Sequence, residues 1–336
     1  MFPVSNPSRS PRFSFFGPLA LAIALTALSP AYGRSEKSLP APSEGFLKYW
    51  KSGLAELTTY RGLEERYGAM RAHSTVMVFV YEEIDDKTRI KIESDRIPPE
   101  RAIPVLKLNR LLHFNTGIYD YNVMTSVFTG LEGPGVTRPF LPRKIALTVQ
   151  EWCGMVFQEV LPRKDGIHLA WHSYFESEGE GKRVLPMPEG QAVYEDELPI
   201  LLRELDGEWM MAGESKAISL FPAEWRTRKK HRPAAWTPAT LEKKSGFEYK
   251  ARNQAWPAMT FVLRQEDDTT TWIIEDKAPR KLLAWHVSTG AYGEFQTTTR
   301  KTYWIRNKPE NEKLREGMEL PLSPPIPARG TLSPRP

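Results

Sequence analysis

Cysteine is almost missing from this chain: Cys153 is the only one in 336 residues. No intrachain disulfide can form, and paired-cysteine metal or redox sites are excluded. Histidine is sparse as well, with six residues and no HExxH arrangement. His168 and His172 stand four apart, which is helical and not strand logic, so no metal site is expected. The chain has no GxxxxGK[ST] loop and no GxSxG elbow, the signatures of phosphate-cradling and nucleophile-elbow enzymes, and no cofactor is implied. No apolar run reaches the roughly 20 residues that a membrane-crossing helix requires. The net charge of +5 is too small to argue for nucleic acid. No short-period repeat is visible.

What is present begins with an export pattern. Arg9 and Arg12 give a basic start without an acidic residue, residues 19–28 (LALAIALTAL) form a short apolar core, and Ala31 and Gly33 offer small side chains for cleavage. A signal peptide over residues 1–33 is therefore expected. Loss of its two arginines would leave a mature chain of about 300 residues at +3. Export without a disulfide framework suits a periplasmic or secreted bacterial protein with a core large enough to need no covalent staple.

The hydrophobic pattern of the mature chain has mostly a period of two. Residues 74–82 (STVMVFVYE) are apolar on both faces and predict a buried strand, with residues 88–93 (TRIKIE) as its return. In residues 143–160, Ile145, Leu147 and Val149 share one face, and Gly154 predicts a bulge or bend. Residues 167–178 place Ile167, Leu169, Trp171, Ser173 and Phe175 on one side. A second series of strands is predicted at 247–252, 259–265, 270–275, 281–288 and 295–306, with Asp267 and Asp268 in a hairpin turn. Helices are few. Residues 46–66 could form one, weakened by Gly53 and Gly62, and residues 194–205 (YEDELPILLREL) form the best, capped by Asp196. The basic run 226–232 (RTRKKHR) could hold an anionic lipid or polymer, though a solvated loop is the commoner form of such a run. The expectation is a mainly β protein: a curved antiparallel sheet forming a barrel or half-barrel, with one or two short helices. Its segments would be a flexible leader (34–45), an N-terminal β-rich half (46–210), a C-terminal β-rich half continuing the same sheet (211–310) and a disordered tail (311–336).

Several residues could carry chemistry. Strict alternation puts Glu151 and Cys153 on the apolar face of their strand, where a carboxylate needs a partner or a role; a strand end at Glu151 would instead release it to water. His172 with Glu176 and Glu178 could supply an acid–base pair, and Cys153 with His172 a nucleophile. A lone cysteine is more commonly packed in a core, where its replacement is silent. A polar and aromatic group including Lys107, Asn109, Tyr119 and Tyr121, with Trp152 and Trp171, could line a ligand cavity.

The blocks AELTTYRGLEERYGAMR, VLKLNR, FNTGIYDYNVMTSVFT, QEWCG, HSYFESEGE and EDELPILL together resemble an uncharacterised family of exported bacterial proteins, over most of residues 50–307. Members of that family are sometimes labelled "septum formation inhibitor Maf". The Maf enzymes open with an SxSPRR-type phosphate-binding segment on an α/β fold. The similar letters here, SRSPR at 8–12, fall within the expected signal peptide. The family implies no catalytic residues. TWIIEDKAPRKLLAWHV is more faintly similar to the DUF3108 proteins, exported and β-rich, which implies a curled antiparallel sheet.

The expected function is that of a non-enzymatic periplasmic binding module, holding an apolar or amphipathic envelope ligand such as a lipid on an aromatic concave face. A hydrolase using Cys153, His172 and Glu151 or Glu176 is one alternative. A structural partner of other envelope proteins is the other.

Overall fold

A computed structural model describes residue 39 and residues 41–132, 139–204, 210–266 and 268–325. The expected signal peptide, most of the expected leader, Asp267 and residues 326–336 lie outside the described residues. The described residues form one sheet of fifteen strands. They are β1 Ala55–Arg66, β2 Ala69–Asp85, β3 Ala102–Thr116, β4 Tyr119–Gly130, β5 Leu141–Glu151, β6 Gly154–Arg163, β7 Gly166–Ser173, β8 Glu180–Leu185, β9 Ala192–Tyr194, β10 Ser215–Phe221, β11 Thr237–Ala251, β12 Gln254–Arg264, β13 Thr269–Glu275, β14 Leu282–Val287 and β15 Tyr292–Lys301. The spatial order runs from β8 back to β1, then from β15 back to β9. Every pairing is antiparallel except the short β9–β10 contact. The sheet curves without closing, since β8 and β9 remain as edges, so the half-barrel and not the closed barrel is realised.

Three short α-helices are described: α1 Glu44–Trp50, α2 Leu198–Glu204 and α3 Glu224–Lys230. They fill the concave side. Tyr60, Met77, Phe79, Leu106, Leu108, Phe261, Leu263 and Trp272 project from the sheet onto Phe46 and Trp50 of α1 and Leu198, Leu201 and Leu202 of α2. Helices this short are marginal alone, so tertiary burial holds them. A buried ion pair fixes α2 to β1. Arg203 donates to both oxygens of Glu56 at 2.7 and 3.0 Å, and Tyr49 donates to the same carboxylate at 2.6 Å. Burial alone would raise the Glu56 pKa, but the Arg203 guanidinium outweighs it and holds the carboxyl below its usual range.

The convex side is partly covered too. Residues 74–80 are apolar on both faces because Met77 and Phe79 enter the concave core while Val78 and Val80 join Ala55, Leu57 and Met318 outside. Met318 ends a 3-10 helix, Pro309–Met318, and residues 309–320 lie as a strap on this side, whereas the sequence suggested a disordered tail from residue 311. The strap is tied down by Arg61, which donates to the Glu319 carbonyl at 3.0 Å, and by an Arg252–Glu319 ion pair at 2.7 Å.

Other local expectations are corrected for physical reasons. Residues 46–66 are not one helix: α1 stops at Trp50, Gly53 takes a left-handed φ of 75°, and β1 begins at Ala55. Residues 88–93 return along the end of β2 for a single antiparallel bridge, Ile84 with Lys91, and no further, because β2 pairs with β3; Asp85 pins that excursion by accepting from Lys87, Thr88 and Arg101. Residues 143–160 are a hairpin, not one bent strand, with Trp152 and Cys153 in the turn. The 194–205 helix opens with a 3-10 turn, Glu195–Glu197, and Asp196 caps elsewhere, accepting from the Glu224 backbone at 2.9 Å. The 226–232 run is mostly α3, packed inward by Trp225, Thr227 and Arg228.

Candidate ligand-binding sites

The catalytic constellation suggested by the sequence does not assemble. Cys153 is exposed in the β5–β6 turn and is not a core thiol. Glu151 stands at the end of β5, accepts from the Cys153 backbone at 3.0 Å, and takes the thiol hydrogen bond as well. That bond and the carboxylate charge push the thiol pKa up, the reverse of nucleophile activation. His172 lies on the convex side of β7 beside Phe157 and 3.6 Å from Glu180, and shares no hydrogen bond with Cys153. Glu176 is exposed beyond the end of β7. Glu178 turns to the concave side and meets Arg228 and His231.

The six ligand-site candidates scatter. Lys107 is paired with Glu82 at 2.6 Å on the convex face, where Asn109 also lies. Tyr121 is buried, stacked on Phe114 with ring centroids 5.0 Å apart, and its hydroxyl meets that of Tyr67 at 2.7 Å. Tyr119 packs beside Tyr121 and Trp152, and Trp152 is 68% exposed in its turn. Only Trp171 among the six lines a substantial cavity.

Two cavities stand out, one on each face. The convex cleft, about 650 Å³, runs under the strap. Its apolar lining comes from Leu57 of β1, Val76 and Val78 of β2, Leu111 of β3 and Met124 of β4, closed by Leu314, Met318 and Leu320. These side chains form a stripe because strand alternation sends Val76, Val78, Leu111 and Met124 outward in neighbouring strands. Leu111 and Met124 stay substantially exposed, at 42% and 36%. Lys301, Arg306, Arg315 and His113 also line the cleft, and no carboxylate does.

The concave chamber, about 330 Å³, lies between α3 and β6–β8. Val156, Leu169 and Trp171 form its apolar wall, with Gln158, Arg183, Glu178, Glu224, Arg228 and His231 around them. The Trp171 ring lies against Gly181, where any Cβ would overlap it, and its Nε1 donates to the Glu178 carbonyl at 3.1 Å. Arg228 donates to Glu178 at 2.6 Å, and Ser173 donates to its other oxygen at 2.6 Å. Burial works against ionisation of Glu178, but the Ser173, His231 and Arg228 contacts prevail and keep its pKa low. Glu224 is only 4% exposed. Burial, reinforced by the neighbouring Asp196 carboxyl, pushes its pKa up to about 8, so it is a neutral acid at pH 7.

Sequence reasoning reached Trp171 and Glu178 in the chamber and missed most of both lining sets. The outward stripe carried a signal in the two-faced apolarity of residues 74–80. Glu224, following Pro222 and Ala223, carried none. No group of three or more His, Cys, Asp or Glu side chains among the described residues is arranged to hold a metal ion. No protein-family model, no curated protein and no solved structure matches this chain.

Proposed function

We propose that this is an exported, non-enzymatic envelope protein that binds an anionic amphiphile, such as a fatty acid, in the convex cleft. One observation carries the reading: an apolar cavity of about 650 Å³ lined by three cations and no carboxylate. An acyl chain would lie along Val76, Val78, Leu111 and Met124, and its anionic end would face Lys301, Arg306 and Arg315. The volume falls within the range of small-molecule sites, and burial of apolar surface supplies the driving force. The concave aromatic face, which the sequence suggested for this ligand, is occupied by α1 and α2 and, through Trp225, by α3. The exposed, deactivated Cys153 supports a binding role over a hydrolytic one.

The test is native mass spectrometry of the mature protein purified from its own periplasm, followed by organic extraction. A bound acyl compound supports the reading. With purified protein, displacement of a fluorescent fatty acid by oleate should be weakened at least about tenfold by Leu111→Glu, which adds a charge to an already exposed position. Unchanged oleate binding in that variant would count against the cleft. A second reading, a structural partner of envelope proteins, draws on the exposed Tyr67, Ile118, Trp152 and Tyr174, which stand at successive hairpin turns along one end of β1–β8. Crosslinking in cells at Trp152 would test it.

A further inference from the structure

The concave chamber lies on the opposite face of the sheet from the cleft, and its chemistry is different. Four polar atoms in its lining residues are shut off from solvent with no hydrogen-bond partner: Gln158 Oε1, Arg183 Nε, Glu224 Oε1 and Arg228 Nε. Native interiors rarely leave such groups unpaired. The four residues that carry them all line one cavity, which points to a common occupant. Glu224 is nine-tenths buried by a wide margin, and Arg228 is 5% exposed, so neither can turn to bulk water.

We infer that the chamber is a second binding site, for a small hydroxylated monocarboxylic acid. Two guanidinium N–H groups need acceptors, which a carboxylate supplies. Gln158 Oε1 needs a donor, which a hydroxyl supplies. Neutral Glu224 can do both, accepting at one oxygen and donating from the other. Trp171, Leu169 and Val156 give a flat apolar wall for the carbon skeleton. Charge selects a monoanion. Among the lining residues Arg183, Arg228 and Arg232 contribute three positive charges and Glu159 and Glu178 two negative ones, leaving a surplus of one. A phosphate dianion would bury excess negative charge beside Glu178.

The neutral state of Glu224 adds a pH signature. The charged or titratable groups around the chamber are Glu159 of β6, Glu178 before β8, Arg183 of β8, Asp196 of the 3-10 turn, and Arg228, His231 and Arg232 of α3 and its end. Above about pH 8 Glu224 ionises and repels a bound carboxylate.

The experiment is calorimetric titration of the full-length mature chain with gluconate, glucuronate and lactate, against glucose and inorganic phosphate as controls. At least one of the three acids should bind, about tenfold or more tighter than either control. Arg183→Gln should weaken that binding about tenfold or more while leaving oleate binding at the cleft unchanged. Glu224→Gln, which keeps a neutral donor and acceptor, should bind within about threefold of the parent at pH 7 and lose the decline above pH 8. Should Arg183→Gln fail to fold by circular dichroism, Gln158→Met replaces it, with the same expected weakening. Failure of all three acids to bind at about 10 mM, tighter binding of phosphate, or unchanged binding in Arg183→Gln (or in Gln158→Met where it stands in) would overturn the inference. It does not depend on the cleft, so oleate binding and hydroxy-acid binding fail separately.

Discussion

Glu197 sits 2% exposed under β4 with Thr129 as its hydrogen-bond donor at 2.9 Å. Burial pushes its pKa well above the usual carboxylate range. In the unfolded chain the same group ionises near pH 4.3. Below that pH both states carry the proton and Glu197 has no pH-dependent effect. Above it only the unfolded state releases the proton, so the contribution of Glu197 to stability falls as pH rises. Glu197→Gln should therefore gain on the order of 1 kcal/mol or more at pH 7 and little at pH 4, in urea unfolding at both pH values. Glu56 has the opposite sign. Its pKa is lowered by Arg203, so its contribution is present at neutral pH and is lost as pH falls through its folded pKa. Arg203→Met leaves a buried carboxylate uncompensated and should cost about 3–5 kcal/mol, with part recovered in the double variant that also carries Glu56→Gln. At Cys153, Glu151→Gln removes the group that raises the thiol pKa. Modification by a thiol reagent at pH 8 should then speed up about threefold, with no change in unfolding midpoint. An unchanged rate would mean that Glu151 does not govern the thiol.

At the scale of elements, two short pieces decide what the sheet can bind. The strap covers apolar convex residues, and α3 covers part of β3 to β6 through Trp225, which packs with Phe114, Tyr121, Val149 and Val156. A chain ending at Lys308 should lose oleate binding and show a lower melting temperature, because Val78, Val80 and Leu57 lose Met318 and Leu320 as cover. Exposed apolar area of that kind is worth roughly 25 cal/mol per Å². If oleate binds the shortened chain as tightly as the full one, the strap is not part of the site. The seam between β1 and β15 is the other decisive element. Gly62 lies opposite Gly293 there, and a Cβ at Gly62 would collide with the Tyr292 carbonyl. Gly62→Ala should destabilise by roughly 2 kcal/mol or more, read from chemical denaturation, because backbone and not a flexible side chain must move.

At the scale of the whole molecule, the first and last strands meet at the middle of the sheet, so neither half is complete without the other. Much of this was legible locally. Ile145, Leu147 and Val149 announce one buried face, and Leu241, Phe261 and Trp272 belong to strands whose alternation is equally plain. The position of α3 was not legible. Its basic letters suggest solvent, yet Arg228 is buried because Glu178, fifty residues upstream, neutralises it. The strap was missed for a related reason: a Pro-rich, polar segment has little to bury, and the few apolar residues it does bury, Met318 above all, find their partners on β1 and β2. Lys107, Asn109, Tyr119, Tyr121 and Trp152 have the chemical types of a ligand site, but type does not report which face of a curved sheet a side chain joins.

The sequence by itself determined the period of two, the abundance of strands, the lack of a disulfide and the two-faced apolarity of residues 74–80. Each follows from nearest-neighbour chemistry along the chain. Only the tertiary structure decided which face became concave, that α1, α2 and α3 would fill it, and that Glu224, Arg183, Arg228 and Gln158 would face a common chamber. Those outcomes depend on charges and apolar surfaces meeting across long stretches of chain, where burial and pairing, and not local propensity, set the free energy.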